Sequence, residues 1–183
     1  MKGKRFFLPD KDFAIKLLKE VGVPYHVRKH SIKVAEKALE IAQKIKKVSV
    51  DAKLVEIGAL FHDIGRSKTH GLEHGIMGAK LLKNRGFPRK VARICATHVL
   101  GGLDSKEIKK HMKGTDISNG NDFLPKTTEE KIVCLADKYL KGTKEVDLES
   151  RFNSWFHKYG RSELLLNSKK RVEKIQKELN SLM

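Results

Sequence analysis

The sequence predicts an all-α, single-domain helical bundle, and three observations predict it. Apolar residues recur at helical spacing along most of the chain, cap and stop residues bracket each run, and no stretch keeps the two-residue alternation of a strand. At 183 residues the chain is long enough to bury a core without staples.

Taken in order, Asp10 is placed to cap a first helix whose Phe13, Ala14, Leu17, Leu18 and Val21 share a face, and Gly22 ends it. After Val23-Pro24, a long helix is expected from about Tyr25 to Lys47. Its stripe is Ile32, Val34, Ala35, Ala38, Leu39, Ala42 and Ile45. Asp51 caps a third helix, Ala52 to Ile64, stopped by Gly65; Gly71 to Asn84 forms a fourth, with Gly86 beyond its end. Pro88 suits the first turn of a fifth, which runs through Val99 to Gly101-Gly102. A short helix follows Asp104, and residues 113–126 read as a loop rich in glycine, asparagine and aspartate. Thr127 with Glu130 three positions on is a capping box, opening a helix to about Leu140. Leu148 to Tyr159 carries the single tryptophan, Trp155, and a last amphipathic helix runs from about Ser162 to Leu182. Trp155, with Phe152 and Phe156, reads as a core contact rather than a base-stacking platform.

Composition narrows the setting. The two cysteines, Cys95 and Cys134, each fall in an apolar helical stretch, so a disulfide framework is not expected and a reducing, cytoplasmic environment is. No apolar run reaches the roughly 18 residues of a membrane span. The basic, then apolar start, Met1 to Leu8, is cut off by Pro9-Asp10 too early for a signal peptide. Lys and Arg total 39 against 22 Asp and Glu, a formal charge of +17, and a field of that sign attracts phosphates. The lysines are spread evenly and seldom interleaved with aromatics, so solvated helix faces account for them equally well. Charge alone is weak support for RNA binding.

Eight histidines invite the question of which converge. His62-Asp63 follows the apolar run Ile57 to Phe61, and Asp137 interrupts Ile132 to Ala136 with an acid. A polar pair in such surroundings requires a partner or a metal, and an isolated buried carboxylate would be driven to protonate. A salt bridge to Lys138 would serve Asp137 as well as a cation would. His98 closes another apolar run, His30 opens the stripe of the second helix, and His74 begins a helix rich in glycine and alanine. Imidazole mixed with carboxylate is a donor set that borderline divalent metals accept. His26, His111 and His157 read as surface or loop residues. Cys95 and Cys134 each precede a candidate ligand by three residues and read as packing beside it, not as thiolate ligands.

These segments resemble the HD superfamily of metal-dependent phosphohydrolases, in its variant with the local sequence His62-Asp63-Ile64-Gly65. His30, the His62-Asp63 pair and Asp137 stand in the family's order and spacing, and His74 and His98 occupy the places of the two histidines that two-metal members add. The likeness covers about residues 24–142, leaving about 143–183 as a C-terminal helical extension. Asp122 to Thr127 followed by Glu129 to Val133 is similar to a small archaeal-type HD subfamily. That subfamily has a longer glycine-rich stretch where this chain has His98-Val99-Leu100-Gly101-Gly102.

The resemblance implies one or two divalent ions, iron or manganese foremost, with nickel, cobalt, zinc or magnesium as other candidates. His30, His62, Asp63 and Asp137 would hold one; Asp63 would bridge to a second held by His74 and His98. It also implies hydrolysis of a phosphoester or phosphoanhydride, in a nucleotide or related small substrate, by a metal-activated water. Dinucleoside polyphosphates are a reasonable first assay. Asp63 and Arg66 are the expected catalytic residues, and Arg66 stands where the family commonly has a cation that meets substrate phosphate. Lys68, His70, Lys131 and Lys138 are weaker candidates for such contacts. Two alternatives stand beside this reading: a di-iron oxygenase, and a non-enzymatic module that binds RNA or a signalling nucleotide.

Overall fold

The computed structural model describes residues 8–112 and 122–183. Helix α1 (Lys11–Glu20) starts where Asp10 accepts the Phe13 amide, as its position in the sequence predicts. Its buried face is Ala14, Leu17 and Leu18, whereas Phe13 is 51% exposed and lies off the core. Helix α2 (Tyr25–Lys44) is shorter than predicted, because the chain turns extended at Ile45. Helix α3 (Ala52–Phe61) ends before His62, and the Ile64–Ser67 segment is a 3-10 turn rather than more α-helix. Helices α4 (His74–Asn84) and α5 (Arg89–Thr97) follow, then a second 3-10 turn at Val99–Gly101 and α6 (Ser105–His111). Most of the predicted loop at 113–126 lies outside the described residues.

Helix α7 (Thr128–Lys138) opens with the Thr127 hydroxyl accepting the Glu130 amide. The predicted capping box is only half made. Glu130 instead accepts the Lys126 amide and grips Arg93 through both carboxylate oxygens, at 3.1 Å each, tying α5 to the start of α7. The expectation of no strand is corrected by a small hairpin, β1 (Leu140–Lys141) paired antiparallel with β2 (Lys144–Glu145). Strands of two residues are too short to show alternation in sequence. The signal is the two-residue loop, Gly142-Thr143, with glycine at the first position where φ is +63°. Helices α8 (Leu148–Tyr159) and α9 (Glu163–Ser181) close the chain.

Helix α2 packs on α3 and α7, α3 also meets α1 and α5, α4 lies on α5 and the first 3-10 turn, and α9 covers α7 and the second turn. One apolar cluster runs through all of them, from Ala14 in α1 to Leu179 in α9. Trp155 is partly buried against it, edge-on to Phe152, in keeping with a core contact. Among the described residues no helix is long and apolar enough to cross a membrane.

Candidate metal centre

Six predicted ligands come from distant parts of the chain and meet at one end of the α2, α3, α4, α5 and α7 packing. His62 Nε2 lies 3.8 Å from Asp63 Oδ2 and 3.7 Å from Asp137 Oδ1. Asp137 Oδ1 also stands 3.0 Å from His30 Nε2. On the other side Asp63 Oδ1 is 3.0 Å from His74 Nε2 and 3.5 Å from His98 Nε2. Three overlapping groups, His30-His62-Asp63, His62-His98-Asp137 and Asp63-His74-His98, each bring three donor atoms within 4.8 Å of one another.

The rings are aimed by their other nitrogens. His62 Nδ1 donates to the Ala59 carbonyl at 2.6 Å, and His74 and His98 donate to the carbonyls of Gly71 and Cys95 at 2.7 Å. His30 Nδ1 donates at 2.7 Å to the carbonyl of Gly142, in the hairpin loop. A carbonyl oxygen only accepts, so each Nδ1 holds a proton, and in the neutral ring Nε2 is a bare lone pair turned inward. Burial keeps His62 and His98 neutral, lowering the first and pushing the second down to about 3. For His30, burial pulls the other way but is outweighed by the Asp137 carboxylate, so its pKa is raised.

The result is a set of acceptors facing acceptors. His74 and His98 Nε2 are 3.1 Å apart with an Asp63 oxygen beside them, and the buried His62 Nε2 has no hydrogen-bond partner. Lone pairs gathered in a dry place call for a cation, and four imidazoles with two carboxylates suit a divalent transition metal. Burial opposes ionisation of both carboxylates, but where the facing His62, His74 and His98 rings carry an Nε2 proton in place of a metal they hold Asp63 well below the usual range. Lys138 and the His30 and His62 rings do the same for Asp137.

Backbone contact sets the spacing. A Cβ on Gly65 would run into the His74 carbonyl and stand 2.7 Å from the Gly78 amide nitrogen; one on Gly78 would lie 2.6 Å from Cys95 Sγ. Glycine at both positions lets α4 cross directly over the 3-10 turn, which brings His74 down to Asp63. The two thiols support the frame as packing residues. Cys95 Sγ donates to the His62 carbonyl at 3.1 Å, Cys134 Sγ to that of His98 at 3.6 Å. Burial raises both thiol pKa values, that of Cys134 to about 11, so neither is a thiolate.

The other predicted contacts divide. Arg66 lies beside the centre, with Nε 3.3 Å from Asp63 Oδ1 and a terminal nitrogen donating to the His70 carbonyl at 2.9 Å. Lys138 is buried behind it, binding the outer oxygen of Asp137 and the His98 carbonyl, the latter at 3.0 Å; it does not face a substrate. Lys131 is a correction. Six residues from Asp137, it lies on another face of α7 and pairs with Glu178 of α9 at 2.7 Å. Lys68 is exposed and is not among the residues lining the cleft beside the centre.

A cleft of about 410 Å³ opens onto the centre, with His30 and Asp63 in its floor. Its walls carry Arg66 and His70, but also His26, Lys29 and Arg151, which the sequence reading did not select. His26 is one helical turn before His30 on α2, which was a usable signal. Arg151 comes from α8, and no local pattern marks it. A larger hollow of about 550 Å³ lies elsewhere, near Lys37, Tyr139 and Asn180, and holds none of the six converging residues.

Comparison with known proteins agrees with this geometry. A family model described as HD domain matches residues 27–142. An uncharacterized protein of Methanocaldococcus jannaschii is 38% identical over 130 residues, covering 69% of this chain and 70% of that protein. Two proteins described as tRNA (cytidine(56)-2'-O)-methyltransferase are each 31% identical. That of Picrophilus torridus matches over 96% of this chain and 48% of its own length, and that of Thermoplasma volcanium over 100% and 50%. The chain thus spans about half the length of these two relatives. Among solved structures, the HD domain of the L. monocytogenes phosphodiesterase PgpH in complex with cyclic-di-AMP superposes with a TM-score of 0.52 at 20% identity. That match covers 91% of this chain and 96% of that one, and shows a shared fold. The matched segment opens within α2 and closes at the Gly142 loop that orients His30, so it frames all six converging side chains; this chain belongs to the HD domain family.

Proposed function

We propose that this protein is a metal-dependent phosphohydrolase acting on a small phosphorylated substrate, with nucleotides the foremost class. The observation that carries the proposal is the inward convergence of bare Nε2 atoms and ionised carboxylates at the floor of a cleft with cationic walls. His30, His62, Asp63 and Asp137 would hold one divalent ion, and Asp63, His74 and His98 a second, iron or manganese foremost. When bound, such ions supply Lewis acidity for the phosphoryl oxygens and a water made nucleophilic near neutral pH.

The chain's own groups do the rest. Asp63 belongs to both halves of the centre, and Arg66 spreads positive charge beside it while keeping donors for a phosphate oxygen. Lys138 holds Asp137 and the backbone of His98 in one place. The cyclic-di-AMP complex named for the similar PgpH domain supports including cyclic dinucleotides in a substrate screen. The cationic walls favour phosphate chemistry over the oxygenase alternative.

A second reading, an RNA-binding module, draws on the +17 charge and on the tRNA-modifying relatives. The test is elemental analysis of freshly purified protein, followed by phosphate release from nucleotides, cyclic dinucleotides and dinucleoside polyphosphates with each metal. Turnover that chelation abolishes supports the hydrolase. Metal-independent, strongly salt-dependent RNA binding without turnover would replace it with the second reading.

A further inference from the structure

Resting on the phosphohydrolase reading, we infer that Arg151 of α8 is the residue by which the cleft selects substrates carrying a second phosphate next to the one at the metal centre. The two arginines in the cleft walls differ in their commitments. Arg66 is engaged on both sides, by Asp63 and by the His70 carbonyl. Arg151 has no carboxylate or side-chain hydrogen bond among the described residues, and its Nε is buried without a partner. Its guanidinium is instead laid over the Trp155 ring, 4.6 Å from the centroid. Stacking fixes the plane of the group, and with Nε buried it is the edge formed by the two terminal nitrogens that stays unspent and can grip two oxygens of a phosphate.

The surroundings reinforce the assignment. Lys29 lies in the same walls, and the acid there, Asp63, is already occupied by imidazoles and Arg66. Lys29, Arg66 and Arg151 thus set three cations around one acid, so the cleft walls carry net positive charge for an anionic substrate. Among the described residues the cleft has no phenylalanine, tyrosine or tryptophan in its lining, and its cations are its main means of recognition. It reads charge rather than base identity, and a phosphoanhydride chain is the substrate unit that matches. The selecting group comes from outside the residues matched by the family model, which end at 142.

The experiment uses the full chain purified with its metal, its content measured before and after, and titrates non-hydrolysable phosphonate analogues of ADP and AMP by calorimetry. The expected result is a preference of at least about tenfold for the ADP analogue, the size of one charge-assisted contact. Arg151→Met keeps the aliphatic stem on Trp155 and should reduce the preference to within about twofold, with affinity for the AMP analogue unchanged. If circular dichroism shows that this variant folds poorly, Arg151→Lys takes its place, with the preference expected to fall to about threefold. A preference that survives either folded variant, equal weakening of both analogues, or no preference in the parent protein would overturn the inference. The hydrolase reading fails separately: absent turnover of ADP and every other phosphate ester, with the Arg151-dependent preference intact, removes the activity and leaves this site standing.

Discussion

The two sides of the metal centre are held by different kinds of contact. On the inner side His62, His74 and His98 each turn Nδ1 to a carbonyl three residues earlier in the chain. Each ring is thereby oriented by its own turn of backbone. On the outer side His30 depends on Gly142, 112 residues away, and Asp137 is held by Lys138, whose ammonium also reaches back to the His98 carbonyl. The inner side is locally determined and dry; the outer side is assembled by the tertiary fold and opens to the cleft. The difference teaches that disturbing the hairpin should damage the His30 side of the centre and spare the other, whereas α7, which also holds the His98 carbonyl, reaches both.

The severest way to break that contrast is Lys138→Met, which leaves an Asp137 oxygen and the His98 carbonyl buried without their cation. A loss of about 3–5 kcal/mol is expected from urea unfolding, as for other buried pairs deprived of one partner. Asp63→Asn strikes the residue common to both sides. Bound metal should fall and turnover drop by more than about 100-fold, beyond what a merely supporting group contributes; two retained ions would disprove its shared position.

Gly142→Ala should sharpen the contrast. No atom lies within 4 Å of the added Cβ, so the effect comes from φ alone and should be about 1–2 kcal/mol. Affinity of the ion on the His30 side should weaken about tenfold, with the other unchanged by competitive chelation. Equal weakening of both would mean that the halves are not independent.

The smallest effect is one of pH on the metal-free protein. His98, lowered by burial to about 3, contributes stability that is fully present above the unfolded value of 6.5 and lost as pH falls toward 3. His62 has the same sign, and the raised His30 the opposite one. His98→Gln should therefore flatten the decline of Tm between pH 6.5 and 4, by about 3 °C per pH unit. An unaltered slope would show that His98 is not held neutral.

Why the inner side was legible in the sequence follows from its local character. A histidine or acid that ends an apolar helical run is conspicuous, and the order of such interruptions at 30, 62–63, 74, 98 and 137 carried the resemblance. The outer supports were legible only in part. The Gly142 carbonyl is a backbone group with no letter of its own; the pairing of Lys138 with Asp137 was readable from their adjacency, but its burial and its reach to the His98 carbonyl were not. Lys131 misled because it shares a helix with Asp137, yet six residues turn it toward Glu178. Helix positions followed from caps and periodicity. Their ends did not, since the 3-10 turn after Asp63 and the early end of α2 are set by packing.

The crossing of α4 over Gly65 and Gly78 bears on any attempt to graft this centre onto another bundle. There the two main chains touch with no side chain between them, so the depth of His74 is ruled by peptide thickness alone. A host scaffold with even alanine at the crossing would stand the helix off by the width of a methyl group. The imidazole would then hang short of its mark, and no choice of neighbouring rotamers would recover the distance.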